Sequence, residues 1–124
     1  MVAWRMAARR DAALGAGVAR EAIVLDPGIG FAKRSEHSLA VLAALPRVAA
    51  LGHPVLVGVS RKRFVGELSG VKEPGLRVAG TVGANVVALA RGARLFRVHD
   101  VAPNRQALDV AWAIERATPG AEAS

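Results

Sequence analysis

Three apolar segments of this chain end in polar and charged residues, a pattern typical of a binding site built from several strand ends. The three endings are Asp26-Pro27-Gly28-Ile29-Gly30-Phe31, Gly58-Val59-Ser60-Arg61-Lys62 and Arg97-Val98-His99-Asp100. Parallel α/β proteins place their sites at the carboxyl ends of strands, where the loops begin. Because the pattern occurs three times within 124 residues, the sequence predicts one site to which several strands contribute.

Arg97 and His99 have side chains suited to an anion. Strand side chains alternate between faces, so these two residues share a face at the end of the third strand. A guanidinium binds phosphate oxygens in a bidentate way, and an imidazole adds a second donor. Lys62, after the second strand, would add a compact positive charge. The alternative for all three is structural: a solvated arginine, a structural histidine and a solvated lysine at a helix start.

The three endings resemble motifs of the dihydropteroate synthase family, whose barrel carries DPGxGFxK, GxSRK and RVHD after successive strands. Here they occur in the same order, with a family-like Gly80-Thr81 between the second and the third. The resemblance extends over roughly residues 15–117 and corresponds to the carboxyl-terminal half of such an enzyme. It implies a transferase of folate biosynthesis. The implied reaction condenses 6-hydroxymethyl-7,8-dihydropterin diphosphate with p-aminobenzoate to give 7,8-dihydropteroate.

The same resemblance implies which residues bind the two substrates. The set is Asp26, Gly30, Phe31, Gly58, Lys62, Arg63, Arg97 and His99. Arg97 and His99 would hold the diphosphate of the pterin substrate. Asp26 would anchor the pterin ring by accepting N–H bonds from its aminopyrimidine edge. The alternative for Asp26 is a carboxylate that only caps the turn at Pro27.

The remaining residues of this set would shape the ring and aminobenzoate pockets. By resemblance, Lys62 contacts the pterin beside the p-aminobenzoate pocket. The backbone N–H of Arg63, at a helix start, would bind the aminobenzoate carboxylate. Gly28 and Gly30 permit close approach of the backbone to a ligand. Phe31 would provide an apolar wall for the aromatic second substrate.

The resemblance also implies a cofactor, Mg²⁺, which assists the diphosphate. The family's protein ligand for this ion is an Asn on the first barrel strand, so we expect no metal ligand in this chain. For the same reason we expect the 124 residues alone to show no synthase activity. Two alternatives stay open: a non-catalytic pterin- or phosphate-binding module, and a subunit of a split enzyme that pairs with a complementing amino-terminal half.

The elements that must position these residues alternate between strands and helices. Strands are predicted at 22–25, 55–59 and 95–98, and helices at 2–14, 62–68, 76–91 and 104–117, the last with a cap at Asn104. A further helix is predicted to begin at a cap at Ser35, to kink or open a new turn at Pro46, and to end at Gly52 and Pro54. Fully apolar strands suit burial on both faces of a parallel sheet. The predicted fold class is α/β, and the resemblance makes it a partial TIM (β/α)8 barrel with about three parallel strands. One domain is expected over 1–117, followed by a flexible tail at 118–124.

Other residues with chemical potential are expected to lie outside the site. His37 and His53 have no neighbouring ligand at metal spacing and are predicted to lie on the surface. Ser60 has no assignable partner base, which argues against a nucleophile. Gly80 and Gly83 lie inside a predicted helix, where each costs about 1 kcal/mol relative to Ala. We therefore expect them to permit a close approach between helix and sheet.

Composition narrows the choice of partners and location. The absence of cysteine excludes disulfides, thiolate metal sites and thiol nucleophiles, and it is compatible with a cytoplasmic protein. No apolar run approaches the roughly 20 residues that cross a bilayer, so no membrane partner is expected. The net charge of +7 could attract nucleic acid, but only 4% of residues are aromatic, which leaves little surface for base stacking. Since family members are commonly dimers, a homodimer through 76–91 and 104–117 is expected.

Overall fold

The computed structural model describes residues 2–29 and 35–120. Its elements in chain order are α1 (Val2–Gly15), a 3-10 turn (Arg20–Ala22), α2 (Ser35–Ala43), α3 (Leu45–Ala49), β1 (Leu56–Val57), α4 (Arg63–Ser69), a second 3-10 turn (Pro74–Leu76), α5 (Val78–Ala90), β2 (Leu95–Phe96) and α6 (Val101–Arg116). Helices thus alternate with short parallel strands, which confirms the predicted α/β class.

The sheet is smaller than the sequence predicted. β1 and β2 are parallel, and their residues in register are Leu56 with Leu95 and Val57 with Phe96. Leu25 forms one parallel bridge to Val55, so three segments lie side by side in chain order. The predicted strand at 22–25 is nevertheless reduced to this bridge, because Ala22 belongs to a 3-10 turn.

The helices cover one face of this sheet. Val55, Val57 and Val59 are fully buried, and the helical residues in the same core are Val41, Leu42, Leu45, Val48, Phe64, Val65 and Ala88. The other face is open, since Val24 is 49% exposed and Leu95 is 40% exposed. The prediction that the strand at 22–25 is buried on both faces is therefore wrong for Val24, because the described helices pack against one face only.

The last helix begins earlier than predicted. α6 starts at Val101, and Asn104 is buried within it rather than capping it. The Asn104 amide donates to the Asp100 carbonyl at 2.9 Å, and its Oδ1 accepts a bond from Asn85 of α5 at 2.8 Å. The prediction of a cap at Asn104 is wrong because this side chain joins two helices. None of the described helices is long and apolar enough to cross a membrane.

Proline and glycine act on the helices in different ways. Pro46 lies in the first turn of α3, which confirms that it opens a new helical segment. A Cβ built on Gly80 would lie 2.6 Å from Val65 Cγ1 in α4, whereas a Cβ on Gly83 would meet no described atom within 4 Å. Gly80 therefore permits contact between two helices. The predicted close approach of both glycines to the sheet is wrong.

Candidate functional site

A cavity of about 140 Å³ opens beyond the carboxyl ends of β1 and β2. The residues that line it are Gly58, Ser60, Lys62, Arg97, Val98 and His99. The structure thus brings together four of the predicted site residues, contributed by two neighbouring strand ends. The parallel direction of the strands causes this convergence, since both chains leave the sheet at the same edge.

Lys62 connects this cavity with the loop after Leu25. Its ammonium donates a hydrogen bond to the Ile29 carbonyl. Burial lowers the pKa of Lys62 below the ordinary 10.5, the charge of Asp26 opposes this shift, and the charge of Arg97 lowers the pKa further. A Cβ built on Gly58 would lie 3.8 Å from Lys62 Nζ. The ammonium therefore lies among residues from all three predicted endings.

Asp26 forms a turn within its own loop. Its Oδ1 accepts a 3.0 Å bond from the backbone N–H of Gly28, and Gly28 has a φ of 73°, which favours glycine. The turn-capping role considered for Asp26 is therefore present. A carboxylate offers about four acceptor positions, so this contact is compatible with ligand binding as well.

Two of the described site residues, Asp26 and Arg63, are not among those that line the cavity. Gly30 and Phe31 lie outside the described residues. Arg63 is the first residue of α4, and its side chain is 83% exposed, with Nε 2.7 Å from Glu67 Oε1. Glu67 also accepts a bond from the Ser35 hydroxyl, so Ser35 joins α2 to α4. These two contacts, that of Ser35 first, lower the pKa of Glu67.

Ser60 has a basic partner, contrary to the sequence prediction. Its Oγ lies 2.8 Å from His99 Nδ1, and the backbone N–H of His99 also donates to Oγ at 3.0 Å. Ser60 is buried, with 8% exposure, whereas its partner His99 is exposed. The prediction failed because these partners are 39 positions apart in the chain.

Arg61 and Asp100 form an ion pair next to this contact. Arg61 Nε and Nη2 lie 3.1 and 2.8 Å from the two Asp100 oxygens, the bidentate arrangement that gives strong charge-assisted bonds. The hydrogen bond from Arg61 holds the pKa of Asp100 below its ordinary 3.8, although burial opposes the shift. The same bond raises the pKa of Arg61.

The alignment of β1 with β2 accounts for two pairs of residues, Ser60 with His99 and Arg61 with Asp100. β1 and β2 are aligned with an offset of 39, as in Leu56 opposite Leu95. Ser60 with His99 and Arg61 with Asp100 keep this offset beyond the end of the strands. All four residues belong to the predicted strand endings, but their pairing depends on the alignment of one ending with the other. Continuing the register past the strands is the signal that identifies them.

The two histidines outside the motifs differ in environment. His37 is exposed, as predicted. His53 is buried, with 6% exposure, and its Nε2 has no hydrogen-bond partner among the described residues. The prediction of a surface position for His53 is therefore wrong. It follows Gly52, whose φ of 88° turns the chain back toward the core.

The described residues give no ready-made metal centre. Within 2–29 and 35–120, no three His, Asp or Glu side chains lie close enough to hold a metal ion. The charged groups around the cavity are instead mainly cations, namely Lys62 and Arg97 beside His99. This donor set fits an anion, and we assign no Mg²⁺ ligand to it.

The family follows from comparison with known proteins. A model of the pterin binding enzyme family matches residues 1–99. The chain therefore belongs to this family of pterin-binding enzymes.

The similar proteins within this family are dihydropteroate synthases. The chain is 43% identical over 112 residues to the dihydropteroate synthase of Neisseria meningitidis serogroup C. It superimposes with a TM-score of 0.89 and 45% identity on the Xanthomonas albilineans dihydropteroate synthase in complex with 7,8-dihydropteroate, covering 94% of this chain and 46% of that one. It is also 39% identical over 115 residues to the inactive dihydropteroate synthase 2 of Mycobacterium tuberculosis.

These matches involve almost all of this chain but only part of the relatives. The alignments include 90% and 93% of the chain, yet only 39% of the Neisseria protein and 36% of the Mycobacterium protein. The chain thus spans less than half the length of the curated relatives it matches.

Proposed function

We propose that this chain forms part of the substrate site of a dihydropteroate synthase. The reaction joins 6-hydroxymethyl-7,8-dihydropterin diphosphate to p-aminobenzoate and releases diphosphate. The observation that carries the proposal is the convergence of Lys62, Arg97 and His99 on one cavity at the strand ends. The similar Xanthomonas structure, with bound 7,8-dihydropteroate, supports the same reaction.

Arg97, His99 and Lys62 would act on the leaving group. Carbon–oxygen cleavage at the pterin methylene leaves negative charge on the diphosphate as the aminobenzoate nitrogen forms its bond. Fixed cationic donors stabilise such charge most where water is partly excluded. Mg²⁺, as the family implies, would add charge neutralisation, and we assign none of its ligands to the described residues.

The loop residues would bind the two ring systems. Asp26 would accept bonds from the aminopyrimidine edge while its Oδ1 also closes the turn at Gly28. Gly30 and Phe31 would approach the rings from the same loop. At the start of α4 the Arg63 side chain pairs with Glu67. Its backbone N–H, among the first of a helix and without an intrahelical acceptor, would receive the aminobenzoate carboxylate.

Calorimetry with inorganic diphosphate tests the anion site. We expect saturable binding to the chain and at least about tenfold weaker binding by Arg97→Ala, since bonds to charged groups contribute strongly. Arg105→Ala is the matched control, because Arg105 is 77% exposed and pairs with Asp109 on the outside of α6. Equal binding by the wild type and Arg97→Ala would exclude this role for Arg97.

A second candidate is a pterin- and phosphate-binding protein without synthase activity. The similarity to an inactive synthase of Mycobacterium tuberculosis supports this second candidate function. We expect no product from the 124 residues alone. Co-expression with the amino-terminal part of an active relative separates the candidates: product formation supports the split synthase, and binding without product supports the non-catalytic protein.

We also propose a protein partner for the open side of the sheet. Val24 and Leu95 expose apolar surface there, and strand edges offer unpaired backbone groups. A complementing amino-terminal half or a second copy of the chain would cover this surface. α5 and α6 would provide a separate dimer surface through the exposed residues Val87, Val110 and Ile114.

A further inference from the structure

We propose that Ser60 and Arg61 are positioning residues that fix His99, and with it Arg97, for binding the diphosphate. The inference rests on the proposed function of Arg97 and His99. Ser60 contacts His99 directly, and Arg61 binds Asp100, the residue that follows His99. We call these four residues the clamp.

Ser60 fixes the imidazole. The Ser60 oxygen accepts the backbone N–H of His99 at 3.0 Å and lies 2.8 Å from its Nδ1. One hydroxyl thus holds the main chain and the ring of the same residue. We assign the hydroxyl proton to the bond with Nδ1, which leaves the proton of a neutral imidazole on Nε2. Nε2–H is then the donor that meets a phosphate oxygen.

Arg61 fixes the loop that carries His99. Its guanidinium binds both oxygens of Asp100, the residue that follows His99. Asp100 is in turn joined to α6, because Asn104 donates to its carbonyl. The two Arg61–Asp100 bonds and the bond from the Asn104 side chain to the Asp100 carbonyl together limit rotation of the loop between β2 and α6.

Arg61 adopts a conformation that its neighbours must stabilise. Its φ is 58°, a left-handed value that L-residues other than Gly, Asn and Asp rarely adopt. Its N–H donates to Thr81 at 3.0 Å, and its carbonyl accepts a bond from Arg77 at 2.8 Å. Thus α5 and the residue before it support the strained backbone, which is characteristic of functional loops.

The side-chain contacts of the clamp keep the alignment of β1 with β2 beyond the last backbone hydrogen bond. Backbone pairing extends to the Arg97 N–H, which donates to the Val57 carbonyl at 3.0 Å. Ser60 and Arg61 then repeat the same 39-residue offset through their side chains. Lys62 directly follows the clamp on one loop, and Arg97 precedes it on the other. The spacing between the cationic groups is therefore set by these four residues.

Nitrogen NMR of the His99 ring tests the clamp without any ligand. In the neutral imidazole of the wild type and of Ser60→Thr, which keeps the hydroxyl, we expect an unprotonated Nδ1 and a protonated Nε2. In Ser60→Ala the two ring signals should move toward a mixture of tautomers. Ser69→Ala is the matched control, because Ser69 is exposed at the end of α4. Identical ring signals in the wild type and Ser60→Ala would overturn the proposal.

Diphosphate calorimetry on the same variants tests the consequence for binding. We expect about three- to tenfold weaker binding by Ser60→Ala and Arg61→Lys, recovery in Ser60→Thr, and no change in Ser69→Ala. Thermal melting by circular dichroism verifies that each variant is folded. If Arg61→Lys does not fold, the diphosphate affinity of Ser60→Ala alone tests the positioning role, since this substitution removes a single oxygen. Wild-type affinity in folded Ser60→Ala would overturn the positioning role.

The two experiments separate this inference from the proposed function. Absence of diphosphate binding by the wild type would contradict the anion site, while the ring signals would still support or overturn the clamp. Normal binding with unaltered ring signals in Ser60→Ala would preserve the anion site and remove the clamp.

Discussion

At the scale of single residues, burial and neighbouring charges determine the pKa of the Lys62 ammonium. Its ammonium is partly buried, lies within the field of Asp26 and Arg97, and donates to the Ile29 carbonyl. Burial and Arg97 favour the neutral amine, whereas Asp26 favours the ammonium. Since an anion needs the ammonium, diphosphate affinity should decline on the alkaline side at a pH below the ordinary lysine pKa of 10.5.

Substitution of the two charged neighbours should move the pKa of Lys62 in opposite directions. Asp26→Asn removes the stabilising carboxylate and should lower this pKa, whereas Arg97→Ala removes a cation and should raise it. NMR titration of ¹³C-methylated lysines measures both shifts, and Lys62→Arg assigns the signal. A pKa unchanged in both variants would contradict the convergence of these three residues.

The Arg61–Asp100 pair should make stability depend on acid pH. The folded pKa of Asp100 is lowered below 3.8, so the pair stabilises the fold above pH 3.8. That contribution is lost as the pH falls through the lower folded value. Urea unfolding should therefore show Asp100→Asn less stable than the wild type at pH 7, with a smaller difference below pH 3.8.

Asp109→Asn is the control for this measurement. Asp109 pairs with Arg105 on the exposed face of α6, with side chains 58% and 77% exposed. Exposed pairs contribute little to stability, so its unfolding midpoint should stay near the wild-type value. An Asp100→Asn profile parallel to that of the wild type at every pH would refute the role of the pair.

At the scale of elements, sequence patterns located the helices better than the sheet. The predicted helix at 76–91 is observed as α5, Val78–Ala90, because its apolar spacing and the following Gly92 are local signals. Strand length and coverage depend on neighbours distant in sequence. Val24 was predicted to be buried and is exposed, because apolar character does not say which face the helices cover.

The candidate site was also predictable only in part, because some of its contacts join residues distant in sequence. The motif residues Lys62, Arg97 and His99 meet at one cavity, since parallel strands bring their ends together. The partner of Ser60 was missed because it depends on the register between β1 and β2. Asn104 was taken for a cap because its buried partner, Asn85, lies on another helix. Contacts between elements therefore account for most of the wrong predictions.

Two glycines of α5 provide a matched test of helix packing. Gly80→Ala should destabilise the chain, because the new Cβ meets the buried Val65 at 2.6 Å and overpacking costs about 1–3 kcal/mol. Gly83→Ala should stabilise it by up to about 1 kcal/mol, since alanine is the better helix former and no described atom lies within 4 Å. Denaturant unfolding measures both, and equal effects would contradict the close contact of α4 with α5.

At the scale of the whole molecule, the open face of the sheet is the surface through which we expect the chain to associate. The chain buries one sheet face against its helices but leaves Val24 and Leu95 exposed on the other. The curated relatives it matches are more than twice as long, so further segments of such proteins are available to cover this face. We expect the 124-residue chain to associate with itself when expressed alone.

Sedimentation velocity of surface variants tests this association. Leu95→Lys should shift the distribution toward monomer, because it places a charge on the open sheet face. Val18→Lys is the control, since Val18 is 42% exposed in the loop after α1. A compact monomer for the wild type at micromolar concentration would contradict the proposed partner surface.

The most direct test of the site is amide NMR mapping of the ¹⁵N-labelled chain as diphosphate is added. We expect saturable shifts centred on Lys62, Arg97 and His99, with much smaller shifts at the helical arginines Arg5 and Arg116. Arg97→Ala should require at least about tenfold more diphosphate for the same response, and Arg105→Ala should respond like the wild type. Shifts distributed over the helical arginines, or a wild-type response in Arg97→Ala, would contradict a diphosphate site at the ends of β1 and β2.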